Sequence, residues 1–302
     1  MILPENGSLI GVDLGGTKVA VGRIDGNEPG EIVQKMIPAD SKDPVDIINA
    51  IIEAINPLFN EHVLGIGIGI PGLVDRDEGI VNDIQNIPSW KEVHLRDILE
   101  AYFRVPVYLD NDANCFALGE SRFGKGTADF VGLTLGTGMG AGIIKNGFLM
   151  PDAQCGSGEF GNIPYLESIY EDYCSGKFFT NKYGVKGEVL AEAASGGDQL
   201  ALKVFNEFGL HLGNAIKTIK LSVDPCKVII GGSVAQASTF FQASMWKSIY
   251  DFPFPKAIRD FEVIFSEAKN IAVLGAASLY LNRTKQGSCY EKTVEIIKHK
   301  LL

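Results

Sequence analysis

The chain lacks any cysteine arrangement that would support a fold by itself. Its cysteines, Cys115, Cys155, Cys174, Cys226 and Cys289, are odd in number and scattered, with no C-x-x-C pair. Neither a disulfide framework nor a local zinc knuckle is indicated, and buried, unpaired thiols are expected. The four histidines, His62, His94, His211 and His299, are equally dispersed and are expected to be surface or packed imidazoles rather than metal ligands. Long apolar runs are missing too: Val63 to Ile70 falls far short of the roughly 20 residues of a membrane span. The stretch Met1 to Asn6 has no basic leader, so a cytoplasmic protein with no membrane partner is expected. Basic residues are in deficit, 27 Lys and Arg against 37 Asp and Glu, a net charge of −10. Nucleic acid, which needs clustered Lys and Arg, is not an expected partner, and any anionic ligand must be held locally. Two phosphate-binding signatures are absent as well: there is no G-x-x-x-x-G-K-[ST], and no G-x-G-x-x-G opens a helix after a strand.

What remains is a globular chain with many tight turns. Its 302 residues exceed the size at which single cores usually split, so two domains are expected. Residues 1–118 with 288–302 are assigned to a smaller α/β domain and 119–287 to a larger one; no low-complexity linker separates them. Ser8 to Leu14 and Lys18 to Ile24 read as a hairpin around Gly15-Gly16, with Glu31 to Ile37 as a third strand. Asp43-Pro44 opens a helix whose apolar positions run to Leu58. Val63 to Ile70 is a buried strand, Leu95 to Tyr102 a helix, and Val105 to Leu109 a strand leading into Asp110-Asn111-Asp112. Phe130 to Leu135, Gly136-Thr137-Gly138-Met139-Gly140 and Ala141 to Lys145 repeat the first hairpin. Helices follow over Ser168 to Tyr183, Glu188 to Ala194 and Asp198 to Ser222, the last with Leu200, Val204, Phe208, Leu212, Ala215 and Ile219 as its apolar stripe. Cys226 to Ile230 and Glu262 to Ser266 are strands, Ala272 to Leu281 a helix, and a last amphipathic helix begins at Tyr290. The class is a mixed α/β sheet protein.

Four constellations carry chemistry. In Asp13-Leu14-Gly15-Gly16-Thr17-Lys18, glycines let backbone amides approach phosphate oxygens, Thr17 adds a hydroxyl, Lys18 a charge, and Asp13 an acid suited to hydrated Mg²⁺. A plain turn would look the same, but Gly136, Thr137 and Gly138 repeat the logic, and two such loops suit the two sides of one polyphosphate. Asp112, at a strand end, suits a carboxylate that accepts a proton from an attacking hydroxyl, with Asn111 offering a donor and an acceptor beside it; alternatively Asp112 caps the helix from Ala113 to Phe123. In Gly156-Ser157-Gly158-Glu159-Phe160-Gly161-Asn162 an acid stands among glycines, where it can receive hydroxyls or be an incidental loop acid. Gly231-Gly232, between a strand and a helix, leaves bare backbone for a base or ribose, or simply punctuates the chain.

In this order the motifs resemble the ROK family of sugar kinases, glucokinase-like members above all. The likeness runs from Asp13 to Lys18 through Gly67 to Asp75, Asn86 to Trp90, Asn111 to Asn114 with Gly119-Glu120, Leu135 to Gly140, Gly158 to Gly161, Gly231-Gly232 and Gly275 to Ala277. It implies the two-domain fold of actin, hexokinase and the Hsp70 ATPase, built of ribonuclease H-like duplicated domains. It also implies Asp112 as catalytic base, sugar binding by Asn111, Asp112, Glu159, Asn162 and Glu171, and nucleotide binding by Asp13, Gly15, Gly16, Thr17, Lys18, Gly136, Thr137, Gly138, Gly231 and Gly232. Asp13 would meet Mg²⁺ through water. ATP and Mg²⁺ are the implied cofactors and a homodimer the implied assembly. The chain departs from the family where E-x-G-H is replaced by Glu159-Phe160-Gly161-Asn162 and no cysteine cluster follows before Glu171. No zinc is therefore expected, and packing of Phe160, Tyr165 and Tyr170 is expected to brace that loop instead.

The leading expectation is a hexose 6-kinase using MgATP, glucose first, with fructose, mannose or an N-acetylhexosamine next. Sugar binding is expected to close the two halves and align the 6-hydroxyl with the γ-phosphate. The resembled family also includes transcriptional repressors, but those carry an N-terminal helix-turn-helix, whereas the first glycine hairpin here begins within about twenty residues; with the acidic charge, DNA binding is not expected. A noncatalytic sugar sensor would dispense with the base or the phosphate loops, and all are present. Polyphosphate as donor would call for a basic track that the sequence does not provide.

Overall fold

A computed structural model describes residues 7–26, 28–82, 84, 86–151 and 158–284. The chain forms two compact units. Among the described residues, the first contains those up to Phe123, Pro151 and 270–284, and the second those from Gly124 to Met150 and 158–269.

In the first unit, β1 (Ser8–Leu14) turns through Gly15-Gly16 into β2 (Lys18–Asp25), and Gly15 N donates to Lys18 O at 2.8 Å. β3 (Glu28–Met36) completes the antiparallel meander. α1 (Pro44–Ile55) starts where the sequence places it: Asp43 accepts from Val45 N at 2.9 Å, Pro44 occupies the first turn, and Ile47, Ile48, Ile51 and Ile55 are buried. β4 (Val63–Ile70) lies parallel to β1, and its unbroken apolar and glycine run reflects cover on both faces. Three short strands, β5 (Leu73–Asp75), β6 (Ile80–Asn82) and β7 (Glu92–Val93), make a separate small sheet. After α2 (Leu95–Phe103), β8 (Val107–Asn111) pairs parallel with β4 and runs directly into α3 (Asp112–Phe123). The sheet order is β3-β2-β1-β4-β8.

The second unit repeats the plan. β9 (Phe130–Leu135), β10 (Met139–Lys145) and β11 (Phe148–Leu149) form its meander. Then come β12 (Pro164–Tyr165), β13 (Ser168–Ile169), α4 (Tyr170–Cys174), α5 (Gly176–Tyr183), α6 (Gly187–Ser195) and α7 (Gln199–Val223). β14 (Lys227–Gly231) pairs parallel with β9, and after α8 (Ser238–Ile249) β15 (Glu262–Phe265) pairs parallel with β14. The order β11-β10-β9-β14-β15 matches that of the first sheet, strand for strand.

Several expectations need correction. The helix expected over Ser168 to Tyr183 is two helices, because Ser175 is extended (φ −133°, ψ −174°) and its side chain caps α5 by accepting from Lys177 N. Leu200, placed in the apolar stripe of α7, is 68% exposed: it sits in the first turn, on the outer side, one residue past the start set by the Asp198 cap. The divide expected after residue 118 falls inside α3, which continues unbroken to Phe123. The return to the first unit comes at Asn270 rather than residue 288; the segment 288–302 and the helix expected from Tyr290 lie outside the described residues, as do Cys155, Gly156, Ser157 and Cys289.

The early return has a packing cause. The helix 271–284 lies directly on β1 and β4 of the first unit, where Gly11 and Gly67 face it without side chains. A Cβ added at Gly11 would fall 1.9 Å from Val273 O, and one at Gly67 would fall 1.8 Å from Ala276 O. Backbone meets backbone here, and nothing can swing aside to admit a methyl group. Gly67→Ala is expected to destabilise the protein by about 3 kcal/mol or more, since overpacking against a fixed carbonyl exceeds the ordinary cost; urea unfolding of the variant beside the parent checks it, and an unchanged midpoint would refute the close packing.

Candidate active site

In the first unit the C-terminal ends of the parallel strands gather acids. Asp13 of β1 is in register with Gly69 of β4, and Gly69 with Asp110 of β8, so the two carboxylates occupy one row of the sheet with a glycine between. The space above Gly69 is taken by Cys115 of α3, whose Sγ would lie 3.1 Å from a Cβ built there. Burial first, then the charges of Asp110, Asp13 and Asp112, push the Cys115 thiol well up. The cysteine is thus an inert filler around which three carboxylates stand.

Asp110 is 1% exposed. Its Oδ2 is 3.1 Å from the Arg76 guanidinium, while its Oδ1 accepts from Asn111 N at 2.8 Å and from Asn114 Nδ2 at 2.7 Å. Asn111 in turn accepts from Ala113 N at 2.9 Å and donates Nδ2 to Gly72 O at 3.2 Å. The capping role that the sequence offered to Asp112 is therefore shared: the Ala113 amide reaches Asn111 Oδ1 and, at 2.8 Å, Asp112 Oδ1. Asp112 stands half-buried in the first turn of α3, where the helix dipole favours a carboxylate.

At the hairpin between β1 and β2, Gly15 and Gly16 are half-buried, and Thr17 and Lys18 are exposed. Gly16 packs on Asn86, whose Cβ would be 2.9 Å from an added methyl. Burial raises the Asp13 carboxyl above its usual range, and Lys18 only partly offsets this. A carboxylate desolvated at a strand end beside a phosphate-type turn suits Mg²⁺, which keeps most of its water and takes one or two protein carboxylates. Among the described residues no group of three or more His, Cys, Asp or Glu side chains is placed to hold a metal ion by themselves.

The second unit carries the matching turn. Gly136 N donates to Gly138 O at 3.0 Å, and the turn is tied from behind by Gly176 N, which donates to Gly136 O at 2.7 Å. That brings the N-terminus of α5 against Gly136-Thr137. Glu171 of α4 is drawn to the same turn: its Oε2 accepts from Met139 N at 3.0 Å and its Oε1 is 2.6 Å from Lys177 Nζ. Gly138 leaves room for it, since a Cβ there would come 2.6 Å from Glu171 Oε2. Glu159 accepts from Asn162 Nδ2 at 2.7 Å. Burial raises the Glu159 carboxyl, the Asn162 bond opposes this, and the Glu171 charge adds to it. Glu159, Asn162 and Glu171 thus form one electrostatic neighbourhood.

Beside the turn is a cavity of about 580 Å³, lined among others by Thr137, Lys177, Phe179, Lys186, Ser233 and Phe240. The volume lies in the range of small-molecule sites. Gly232, at φ +94°, follows β14 at the edge of this region; a side chain there would meet Leu135 O at 2.3 Å and adopt a strained backbone. Phe179, Lys186 and Phe240 were not singled out by sequence reasoning, because they come from α5, the residue before α6 and α8 and share no local pattern; Ser233 directly follows the Gly231-Gly232 motif. Lys177 had a signal, lying just beyond Glu171 and Ser175-Gly176.

The segment after Asn162 is held by aromatic packing. Phe160 is buried, Tyr165 stacks on Tyr170 with centroids 4.3 Å apart, and Tyr173 meets Tyr165 edge-on at 5.3 Å. Tyr165 OH accepts from Asn214 Nδ2 at 2.9 Å and lies 3.0 Å from His211 Nδ1. Burial lowers the His211 pKa despite the nearby Glu207, and with Nε2 facing Glu207 Oε1 at 3.5 Å a neutral ring can accept a hydrogen bond from the tyrosine hydroxyl at Nδ1.

Comparison with known proteins agrees over almost the whole chain. The ROK family profile matches residues 9–283. A glucokinase of Thermotoga maritima is 31% identical, over 91% of this chain and 98% of its own. The crystal structure of a ROK family glucokinase from Streptomyces griseus in complex with glucose and AMPPNP is 28% identical with a TM-score of 0.76, covering 90% of this chain and 99% of that one. The ROK hexokinase from Thermus thermophilus is 25% identical with a TM-score of 0.78, covering 92% and 99%.

If aromatic and hydrogen-bonded packing braces the Phe160 to Tyr173 segment, a chelator will leave the urea midpoint of the protein unchanged. Tyr165→Phe, which strands Asn214 and His211, will lower stability by about 1 to 3 kcal/mol. A chelator-induced drop would place a metal in the brace instead.

Proposed function

The chain belongs to the ROK family and is an ATP-dependent sugar kinase of the two-domain actin-like fold, and we propose that its acceptor is a hexose, glucose first, phosphorylated at the 6-hydroxyl. The observation that carries the proposal is Asp112: a half-buried carboxylate at the start of α3, set on a network of hydrogen bonds around Asp110.

Asp112 is the general base. As the 6-hydroxyl oxygen forms its bond to the γ-phosphorus and the bond from that phosphorus to the ADP oxygen breaks, the hydroxyl proton passes to the Asp112 carboxylate. Little other covalent work is asked of the protein, and positioning and charge stabilisation supply the rest. Asn111 and Asp112 hold hydroxyls at the reacting end of the sugar. Glu159 and Asn162, already joined by a hydrogen bond, take hydroxyls toward the anomeric end. Glu171 contributes there through lone pairs left after its bonds to Met139 N and Lys177. Asn162 donates to Glu159 through its amide, and an amide offers neither a titrating ring nor the imidazole nitrogen of a zinc site; the acceptor's anomeric side is therefore where preference among glucose, mannose, fructose and N-acetylhexosamines is set.

The nucleotide is assigned to the glycine turns. Gly15, Gly16, Thr17 and Lys18, and Gly136, Thr137 and Gly138, supply amides, hydroxyls and one ammonium to phosphate oxygens. Gly231 and Gly232 bound the adenosine, for which the 580 Å³ cavity beside Thr137 is the natural volume. Mg²⁺, when bound, neutralises phosphate charge, and Asp13 is the residue that would hold it through water. Among the described residues no helix is long and apolar enough to cross a membrane; a cytoplasmic homodimer is proposed.

A coupled ADP-release assay with MgATP over a panel of hexoses and N-acetylhexosamines tests this. One sugar is expected to support turnover, and Asp112→Asn to lower kcat by about 10² to 10⁴ with the fold intact. Absence of turnover with every sugar, despite sugar binding, would favour a noncatalytic sensor.

A further inference from the structure

We infer that Arg76 is a positioning residue for phosphoryl transfer: through its ion pair with the buried Asp110 carboxylate it fixes the β8 to α3 junction that presents Asn111 and Asp112. The inference deepens the kinase assignment and rests on it. Arg76 stands in the turn after β5, and its side chain is 11% exposed against 2% for that of Asp110, with 3.1 Å between Nη1 and Oδ2. Burying a carboxylate is costly unless a cation and hydrogen bonds compensate, and a guanidinium is the cation that gives up its hydration most readily. The other Asp110 oxygen reaches to both sides of Asp112, taking the Asn111 amide before it and the Asn114 side chain after it.

The turn that carries Arg76 is itself braced. Asp75 Oδ1 accepts from Asp77 N at 3.1 Å and Glu78 N at 2.9 Å, and Arg96 of α2 donates to Asp77 O at 2.7 Å and Glu78 O at 2.8 Å. A second tie, from Asn111 Nδ2 to Gly72 O, joins the start of the same segment to the same junction. The small sheet thereby forms a splint, running from Arg96 through the Asp77-Glu78 turn and Arg76 to Asp110. Without the guanidinium, the Asp110 carboxylate loses the partner that fixes its orientation, and a turned carboxylate releases Asn111 and Asn114 together.

Arg76→Met and Arg76→Lys test this in steady-state kinetics, beside urea unfolding. Arg76→Met is expected to lower kcat about 10- to 100-fold and to raise the sugar KM several-fold, with the ATP KM unchanged, since displacement of about 1 Å costs rates of that order. Arg76→Lys, which keeps the charge without the fork, is expected to recover kcat to within about tenfold of the parent. A merely structural pair would reduce the folded fraction and hence Vmax alone; an unchanged sugar KM in Arg76→Met overturns the inference. Should Arg76→Met not fold, Asn114→Ala removes the tie beyond Asp112 while leaving the ion pair whole, and the same kinetic split is expected, with an unchanged sugar KM again contradicting it. If the parent turns over no sugar, the kinase assignment fails on its own. Calorimetric sugar affinity of Arg76→Met without nucleotide then decides, equal affinity to the parent counting against the splint.

Discussion

Contact between backbones at glycine is the constraint on which the first unit depends. The helix 271–284 can lie on β1 and β4 only because Gly11 and Gly67 offer no side chain to Val273 O and Ala276 O. Gly11 and Gly67 are paired in register, and two residues on along the same strands stand Asp13 and Gly69, with Asp110 beside Gly69 on β8. Side chains two apart share a face. The row that seats the helix and the row that carries the acids are therefore neighbours on one face, and the height at which the helix sits sets the space left for Cys115 and the three carboxylates around it.

The second unit reaches a comparable end by other means. Its turn at Gly136 to Gly138 is held from outside the hairpin, by Gly176 N on Gly136 O and by Glu171 on Met139 N. Glu171 also holds Lys177. The same carboxylate thus orients an amide of the turn and one wall of the neighbouring cavity, so a change felt by Glu171 is felt by both. Its charge also bears on Glu159. Residues assigned to sugar and residues assigned to phosphate are coupled within this unit by one acid rather than by a chain of contacts.

Much of the fold was legible because the decisive signals are local. The limits of β1, β4 and β9 follow from apolar runs ended by Gly15, Pro71 and Gly136, and the start of α1 from Asp43-Pro44. Asp13 was marked by the glycine turn beside it, and Asp112 by its place at a strand end. What was not legible is non-local or very short. Strands of two or three residues such as β5 to β7 bury too few side chains for alternation to register. Ser175 looks like helix interior until its extended backbone and its bond to Lys177 N are known. Arg76 and Asp110 are 34 residues apart, and nothing in either neighbourhood names the other. The lining of the cavity beside Thr137 is assembled from five separate stretches of chain, and only those at Gly136-Thr137 and after Gly232 carry a local pattern.

The acidic charge of the molecule bears on how a polyanion is recognised at all. At −10 the summed field repels a nucleoside triphosphate, so attraction must arise at close range. The two turns proposed for phosphate would answer that need with oriented amides, which act on a phosphate oxygen at contact distance and carry no net charge to a distance. Lys18 and Lys177 add cations, but each stands beside an acid, Asp13 in one case and Glu171 in the other. Lys177 is held by its bond to Glu171, and neither lysine makes the surface basic, so the phosphate contacts proposed for the turns do not call for a basic track.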